Sequence, residues 1–440
     1  MSIEMITFLI IGLLLTFIVL GYPLAYVLGG VALIFGYIFI GPQIGNLFML
    51  RIFTVTQDYI LIAIPLFIFM GVVIEKSGLA ERLYDSMYVL MGNLRGGLAV
   101  ATVITCTIFA AATGVIGASV VTMGLLALPS MLKYNYDKPL ATGSICAGGT
   151  LGILIPPSVL ILVYGPTASI SIGRLFAAAF MPGILLAVMY VAYVIIRCYI
   201  NPSLGPSLPK SAIKVTPKEK LIMFLTSVLP VTALIIAVLG SIFFGLAAPT
   251  EAAAVGAFAS CLLALAYKQL NFATLREIVY RAMRVNAMIF LVLIMANFYT
   301  NVFIRIGGGR VIEEMVLGLP LPPWGIILTM WAIIIVMGMF IDWIGVIMLA
   351  VPLFTPIGAA LGFDPLWFAM MNIVVMQVSF LSPPFAYAIF YLKGIAPPEV
   401  RTMDIYRGIV PFIVLQLIAV SILAAFPNII LFLPRLFGLY

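Results

Sequence analysis

The chain has 440 residues, of which 64% are apolar and 8% are charged, against roughly 45–50% and about 25% in a soluble domain. A soluble surface cannot be built from 22 basic and 15 acidic side chains over that length, so composition excludes a soluble enzyme, a disordered chain and a secreted disulfide scaffold. The apolar runs are continuous rather than alternating, which leaves an all-α polytopic membrane protein.

The N-terminus passes from Met1-Ser2-Ile3-Glu4 straight into an apolar stretch. It has no basic n-region, so it is read as an uncleaved first span. A span needs about 20 apolar residues. On that rule, spans are predicted over 5–20, 23–40, 58–76, 139–165, 174–198, 221–241, 245–267, 284–304, 365–392 and 408–432. Two further apolar stretches, 98–132 and 321–357, are too long for one span and carry glycine and polar residues near their middles. Each is read as a re-entrant hairpin.

The linker 199–219 carries Lys210, Lys214 and Lys218, and 268–284 carries Lys268, Arg276, Arg281 and Arg284. Both flank one pair of spans and so share a face, and their basic excess marks it as cytoplasmic. The net charge of +7 is therefore topological and no sign of nucleic acid. Both termini are predicted outside.

The halves of the chain repeat. Pro129, Asp137 and Pro156-Pro157 recur at one constant spacing as Pro356, Asp364 and Pro383-Pro384. Gly78 is paired with Gly308, and Pro182 with Pro411. An odd number of spans separates the two units, so the repeat is inverted. Inverted repeats with broken helices are the architecture of secondary transporters. The expected organisation is N-terminal scaffold helices over 1–57 and a first repeat over 58–198. A basic linker and scaffold helix pair follow over 199–283, then a second repeat over 284–440.

A Pro-Pro pair breaks a helix. The freed carbonyls and nearby hydroxyls can bind a cation where the break faces protein or water. Gly148, Gly149, Thr150, Gly152 and Ser158 surround the first break; Gln377, Ser379 and Ser382 surround the second. The hairpin middles supply Thr113, Gly114, Gly117 and Ser119 in one case, and Gly338, Asp342 and Gly345 in the other. The alternative reading of each small residue is close helix packing. Asp342 is the one acid in the middle of a long apolar stretch, and a carboxylate there is a functional candidate by default. Arg305, at a span end, either snorkels to the interface or pairs with a substrate carboxylate. No histidine is present, which removes any imidazole relay. Cys106, Cys146, Cys198 and Cys261 show no CxxC spacing and read as packing residues. No Walker A motif, GxSxG motif or acid–base cluster marks an enzyme.

The segments "AGGTLGILIPPSVLILVYG", "GMFIDWIGVIMLAVPLFTPI" and "SFLSPPFAYAIFYLKGIAPP" resemble the large membrane subunit of TRAP transporters, the DctM-like family. The resemblance covers essentially the whole chain. Its wording is most similar to the branch labelled mannitol/chloroaromatic compound transport. The resemblance implies an elevator-type transporter of the bacterial inner membrane, in which hairpins and broken helices move against a static scaffold. It implies sodium coupling and import of small organic acids such as 2-oxo acids or lactate. It also implies two partners, a small four-helix membrane subunit and a periplasmic solute-binding protein. By motif, the implied sodium ligands lie among Thr113, Gly114, Gly149, Thr150, Ser158, Gly338, Asp342, Gln377, Ser379 and Ser382. The implied substrate contacts are Arg305, Ser158 and Thr113. One departure is that Ala111 and Val115 stand where many relatives carry hydroxyl residues. The main alternative is a stand-alone ion/organic-anion symporter or antiporter of the same architecture.

Overall fold

Ser2 opens the first helix, its hydroxyl accepting the Met5 N–H at 3.3 Å. From there the chain is helical almost throughout. The computed structural model describes residues 2–209, 215–383 and 386–440. Lys210, Lys214 and Pro384, used in the sequence reading, lie outside them. Helices α1 (Ile3–Val19), α2 (Leu24–Ile40) and α3 (Ile44–Thr56) come first. A short 3-10 turn leads into α4 (Ala63–Lys76), followed by α5 (Leu79–Met91). A hairpin of α6 (Gly97–Thr113) and α7 (Ile116–Lys133) follows, then α8 (Lys138–Thr150), α9 (Val159–Ala168) and α10 (Ile172–Ile200). Helix α11 (Pro217–Met223) runs through a π-helical turn into α12 (Leu229–Phe243), and α13 (Pro249–Ala266) returns. The second half holds α14 (Phe272–Arg305), α15 (Gly308–Leu317) and a second hairpin, α16 (Pro323–Phe340) and α17 (Trp343–Ala360). It closes with α18 (Pro365–Leu381), α19 (Tyr387–Ile395), α20 (Thr402–Ala425) and α21 (Asn428–Leu436). Among the described residues there is no strand, and nine helical stretches are long and apolar enough to cross a membrane.

The repeat appears in the caps. Asp137 caps α8, its carboxylate accepting the Leu140 N–H at 3.1 Å; Asp364 caps α18, accepting the Trp367 N–H at 2.7 Å. Their backbones match, with φ −57° and ψ 126° against φ −58° and ψ 126°. Each satisfies helix N–H groups that have no intrahelical partner. Gly78 (φ +69°) opens α5 and Gly307 (φ +97°) opens α15. The counterpart of Gly78 is therefore Gly307 rather than Gly308, because only a left-handed residue makes that corner.

Four helices were not foreseen. Helix α5 carries Glu81, Arg82 and Asp85, and α15 carries Arg310, Glu313 and Glu314, so neither reads as an apolar run. Both are amphipathic connectors from a spanning helix to a hairpin. Helix α3 is too short for a span. The expected 408–432 span is two helices, α20 and α21, because Pro427 disfavours helix at the residue before it.

Two ion pairs fix the level of α4 against α14: Arg281 with Glu75 at 2.8 Å, and Lys76 with Glu277. They place the end of α4 and the start of α14 at the basic face. Helix α5 follows at that face, and α15 follows the far end of α14. A helix of 34 residues is about 50 Å long, so the two connectors lie on opposite faces, as inversion requires.

The broken helices make the core. Every residue from Leu140 to Thr150 of α8 and from Leu366 to Leu381 of α18 is buried. Where α8 crosses α20, a Cβ on Gly143 would strike the Gly408 backbone. Only glycine allows that approach. The Trp331 indole donates to Asn372 Oδ1 at 3.1 Å, and Asn372 Nδ2 donates to the Tyr164 hydroxyl at 3.2 Å. This chain of bonds ties α16 and α18 of one repeat to α9 of the other.

Candidate functional site

The first hairpin tip is buried against backbone, and the second packs on a side chain of the facing helix. In the first, Gly114 adopts φ +65° between α6 and α7, and a Cβ there would lie 3.0 Å from the Pro157 carbonyl oxygen. The tip thus touches the break between α8 and α9. That break runs from a 3-10 turn at Leu151–Ile153 to Ser158, the N-cap of α9, and includes a cis bond between Pro156 and Pro157. Ala110 of α6 packs on Gly152 at the broken helix. In the second hairpin the small residue has changed sides: Gly338 of α16 packs on Ser379 of α18. From the other side, α4 closes on the first tip, where a Cβ on Gly71 would lie 2.8 Å from the Thr113 carbonyl oxygen.

The hydroxyls here are all buried, and their protons are committed to protein acceptors. Ser158 Oγ donates to the Ile153 carbonyl at 2.5 Å, and Thr150 Oγ1 to that of Ala147 at 2.9 Å. Ser379 Oγ donates to Met376 and Ser382 Oγ to Val378, each at 2.7 Å. Thr113 Oγ1 and Ser119 Oγ lie 3.3 Å apart, and Ser119 is also 3.3 Å from the Val115 carbonyl. A hydroxyl that has donated its proton keeps its lone pairs free, which suits a cation. Gln377 differs: its side chain is fully buried, and neither Nε2 nor Oε1 has a partner. It sits one constant spacing after Thr150.

Asp342 is the N-cap residue of α17. Its carboxylate lies beside the N–H groups of Trp343 and Ile344, where the positive end of the helix dipole favours an anion. The matching N-cap of α7 is Val115. The two repeats are therefore chemically unequal, with a carboxylate at one tip only.

Asp342, Gly114, Val115 and Gly117 line one cavity of about 610 Å³ with Tyr387 and Tyr391 of α19. Its far wall is the N-terminal end of α2 and residues 285–292 of α14. Thr113, Gly149, Thr150, Ser158, Gly338, Gln377, Ser379 and Ser382 stand behind that lining, in the tip and break layers. Arg305 is not brought to the tips. It is the exposed last residue of α14, 13 residues beyond Val292 and so about 20 Å further along the helix. The tyrosines were missed by sequence reasoning. The available signal was that Tyr391 repeats the position of Tyr164.

Leaving the Gln377 amide unpaired costs about 1–3 kcal/mol. Gln377→Met is therefore expected to raise the thermal midpoint by a few °C in sodium-free buffer, and to reduce any further rise measured on adding sodium. A Met variant as sodium-responsive as the parent would mean that the amide takes no part in ion binding.

Two inverted units, breaks that meet hairpin tips, and a cavity between the tips define the membrane subunit of a secondary transporter. Comparison with known proteins narrows the class. Residues 11–429 match the family model described as the tripartite ATP-independent periplasmic transporter, DctM component, and the chain belongs to that family. It is 29% identical over 395 residues to a C4-dicarboxylate TRAP transporter large permease of Pseudomonas aeruginosa, covering 89% of this chain and 90% of that one. It is 30% identical over 403 residues to the corresponding Vibrio cholerae protein, covering 86% of each. The ectoine TRAP transporter large permease of Halomonas elongata is 30% identical over 377 residues, again covering 86% of each. Among solved structures, the YdaH transporter of Alcanivorax borkumensis shares the fold, with TM-score 0.58, 15% identity and 88% of each chain covered. The chain is thus a multi-pass permease of the bacterial inner membrane and not an enzyme. None of these names points to the mannitol/chloroaromatic branch.

Proposed function

We propose that this permease imports small organic acids with sodium by an elevator movement, with the tip cavity as the substrate site. In this reading α6 to α9 and α16 to α19 travel as one body past α2 and α14. The amphipathic α5 and α15, each opened by a left-handed glycine, act as its two arms. The sodium ions are cargo held in the tip and break layers: Thr113, Gly114, Gly149, Thr150 and Ser158 on one side, and Gly338, Asp342, Gln377, Ser379 and Ser382 on the other. The observation that carries the reading is the meeting of both tips in one cavity, with a single carboxylate and many neutral oxygens. The carboxylate offsets part of a cation's charge, and the neutral oxygens replace its hydration shell. The cavity lies along the middle of α14, at residues 285–292 of a helix that runs from 272 to 305. Substrate is a 2-oxo acid, lactate or a related carboxylate, delivered by a periplasmic solute-binding protein, and a small four-helix membrane subunit completes the permease. The branch label rests on motif wording alone.

The test is uptake into proteoliposomes of this chain with its small subunit. Radiolabelled 2-oxo acids, lactate and C4-dicarboxylates are offered with and without the binding protein, under sodium or potassium gradients. Uptake is expected only with the binding protein and only with sodium. Uptake by this chain without the binding protein would instead support a stand-alone symporter or antiporter.

A further inference from the structure

A second cavity, of about 270 Å³, lies beyond the tip cavity along the same three helices. On α14 the lining shifts from residues 285–292 to residues 293–301. On α9 it shifts from Val159 to Val163 and Thr167, and on α17 from Asp342 and Ile344 to Met348 and Pro352. These are displacements of about 6–13 Å along each axis at the rise of a helix, all away from the basic face. The second cavity is the more polar, with Thr54, Thr167, Asn297, Thr300 and Asn301 on its walls.

Two arginines stand one helical turn beyond its lining residues. Arg305 is one helical turn beyond Asn301, and Arg51 is one turn before Thr54 on α3; residues so spaced share a helix face. The two guanidinium groups lie within electrostatic reach of each other. Helices α3 and α14 are in direct contact there, with Phe48 and Phe298 rings 5.0 Å apart. Among the described residues neither arginine has a carboxylate within ion-pair distance, and the buried Arg51 Nε has no partner at all. Like charges held together without acids repel one another. Such a pair persists at a cost that an anion would relieve. The cavity also holds one acid, Asp58, whose Oδ1 already accepts the Ile60 N–H at 2.9 Å. The balance of the lining and the turn beyond it is two positive charges against one negative.

We infer that this second cavity is an outer vestibule that gathers carboxylate or sulfonate anions between Arg51 and Arg305, and passes them along Asn301 and Asn297 toward the tips. The inference rests on the transport reading above, and it moves Arg305 from the tip site to the approach. Arginine suits the task because its planar fork takes a carboxylate bidentately.

The test needs no knowledge of the substrate. Asn301→Cys, and separately Thr54→Cys, are made in the full-length chain in spheroplasts. Each is labelled with an anionic sulfonatoethyl and a cationic trimethylammonioethyl methanethiosulfonate, both membrane-impermeant. The native cysteines are buried, apart from the half-buried Cys261, and the parent chain gives their background. The anionic-to-cationic rate ratio, referred to that of a free thiol, is expected to be raised on the order of tenfold and to fall at high salt. Arg51→Gln with Arg305→Gln should return the ratio to the reference, while the two Lys variants should keep it raised. A ratio equal to the reference in the parent, or unchanged by the Gln pair, overturns the inference. Labelling only in inside-out vesicles overturns it too, since the cavity would then open inward. Sodium- and binding-protein-dependent uptake alongside either of those results would leave the transport reading intact and remove this one alone.

Discussion

Under the proposed sodium coupling, Asp342→Asn is expected to lower uptake by at least about tenfold, equivalent to about 1.4 kcal/mol, while the protein stays folded. The two consequences separate because Asp342 has two jobs. It occupies the N-cap position of α17 without a side-chain cap hydrogen bond, its carboxylate beside the Trp343 and Ile344 N–H groups, and asparagine suits that position about as well as aspartate. The lost charge–dipole attraction is about 0.3–1 kcal/mol, too little to unfold the hairpin. As the only carboxylate among the described residues that line the tip cavity, it is the group there that can offset a cation's charge. The amide keeps the size and the cap and removes only the charge. Uptake rate against sodium concentration, with the thermal midpoint measured alongside, checks the prediction. A variant with parental rate and sodium dependence would leave Asp342 as a helix cap and nothing more.

Gly114→Val is expected to reduce uptake more than tenfold at normal membrane abundance. Two effects add. A β-branched residue at φ +65° costs about 1–3 kcal/mol in backbone strain. Its Cβ would also lie 3.0 Å from the Pro157 carbonyl and 3.4 Å from the Val159 nitrogen, both backbone atoms of the helix break. Relief requires the tip to lift off the break, which opens the layer proposed for the ion. Gly362→Val isolates the first effect, since Gly362 has φ +80° and open space around it. That control should lose some stability and keep its uptake. Equal loss of uptake in both variants would show that strain alone, and not the tip contact, is what matters.

Much of this protein was legible as a one-dimensional pattern. Apolar run length follows from bilayer thickness, so most spanning helices were placed to within a few residues. Asp137 and Asp364 were read as landmarks of the repeat, and both are helix caps. Proline marked the breaks because it lacks the N–H that a helix needs. The amphipathic α5 and α15 were missed, since their polar faces interrupt the apolar signal. At the site, Thr113, Ser158, Ser379 and Asp342 were named from local chemistry, and the hairpins and breaks carry them into adjoining layers.

What the amino-acid order determined by itself was the environment, the span pattern and the inverted repeat. Each of these depends on composition or on distance along the chain. The tertiary structure decided which polar groups face one another. It put Asp342 and Gly114, more than half the chain apart, on one cavity, and left Gln377 buried without a partner. It also carried Arg305 about 20 Å along α14 from the tips and set it beside Arg51. Those relations arise from helix packing across the repeat, where glycine contacts and axial levels set the neighbours, and no local spacing records them.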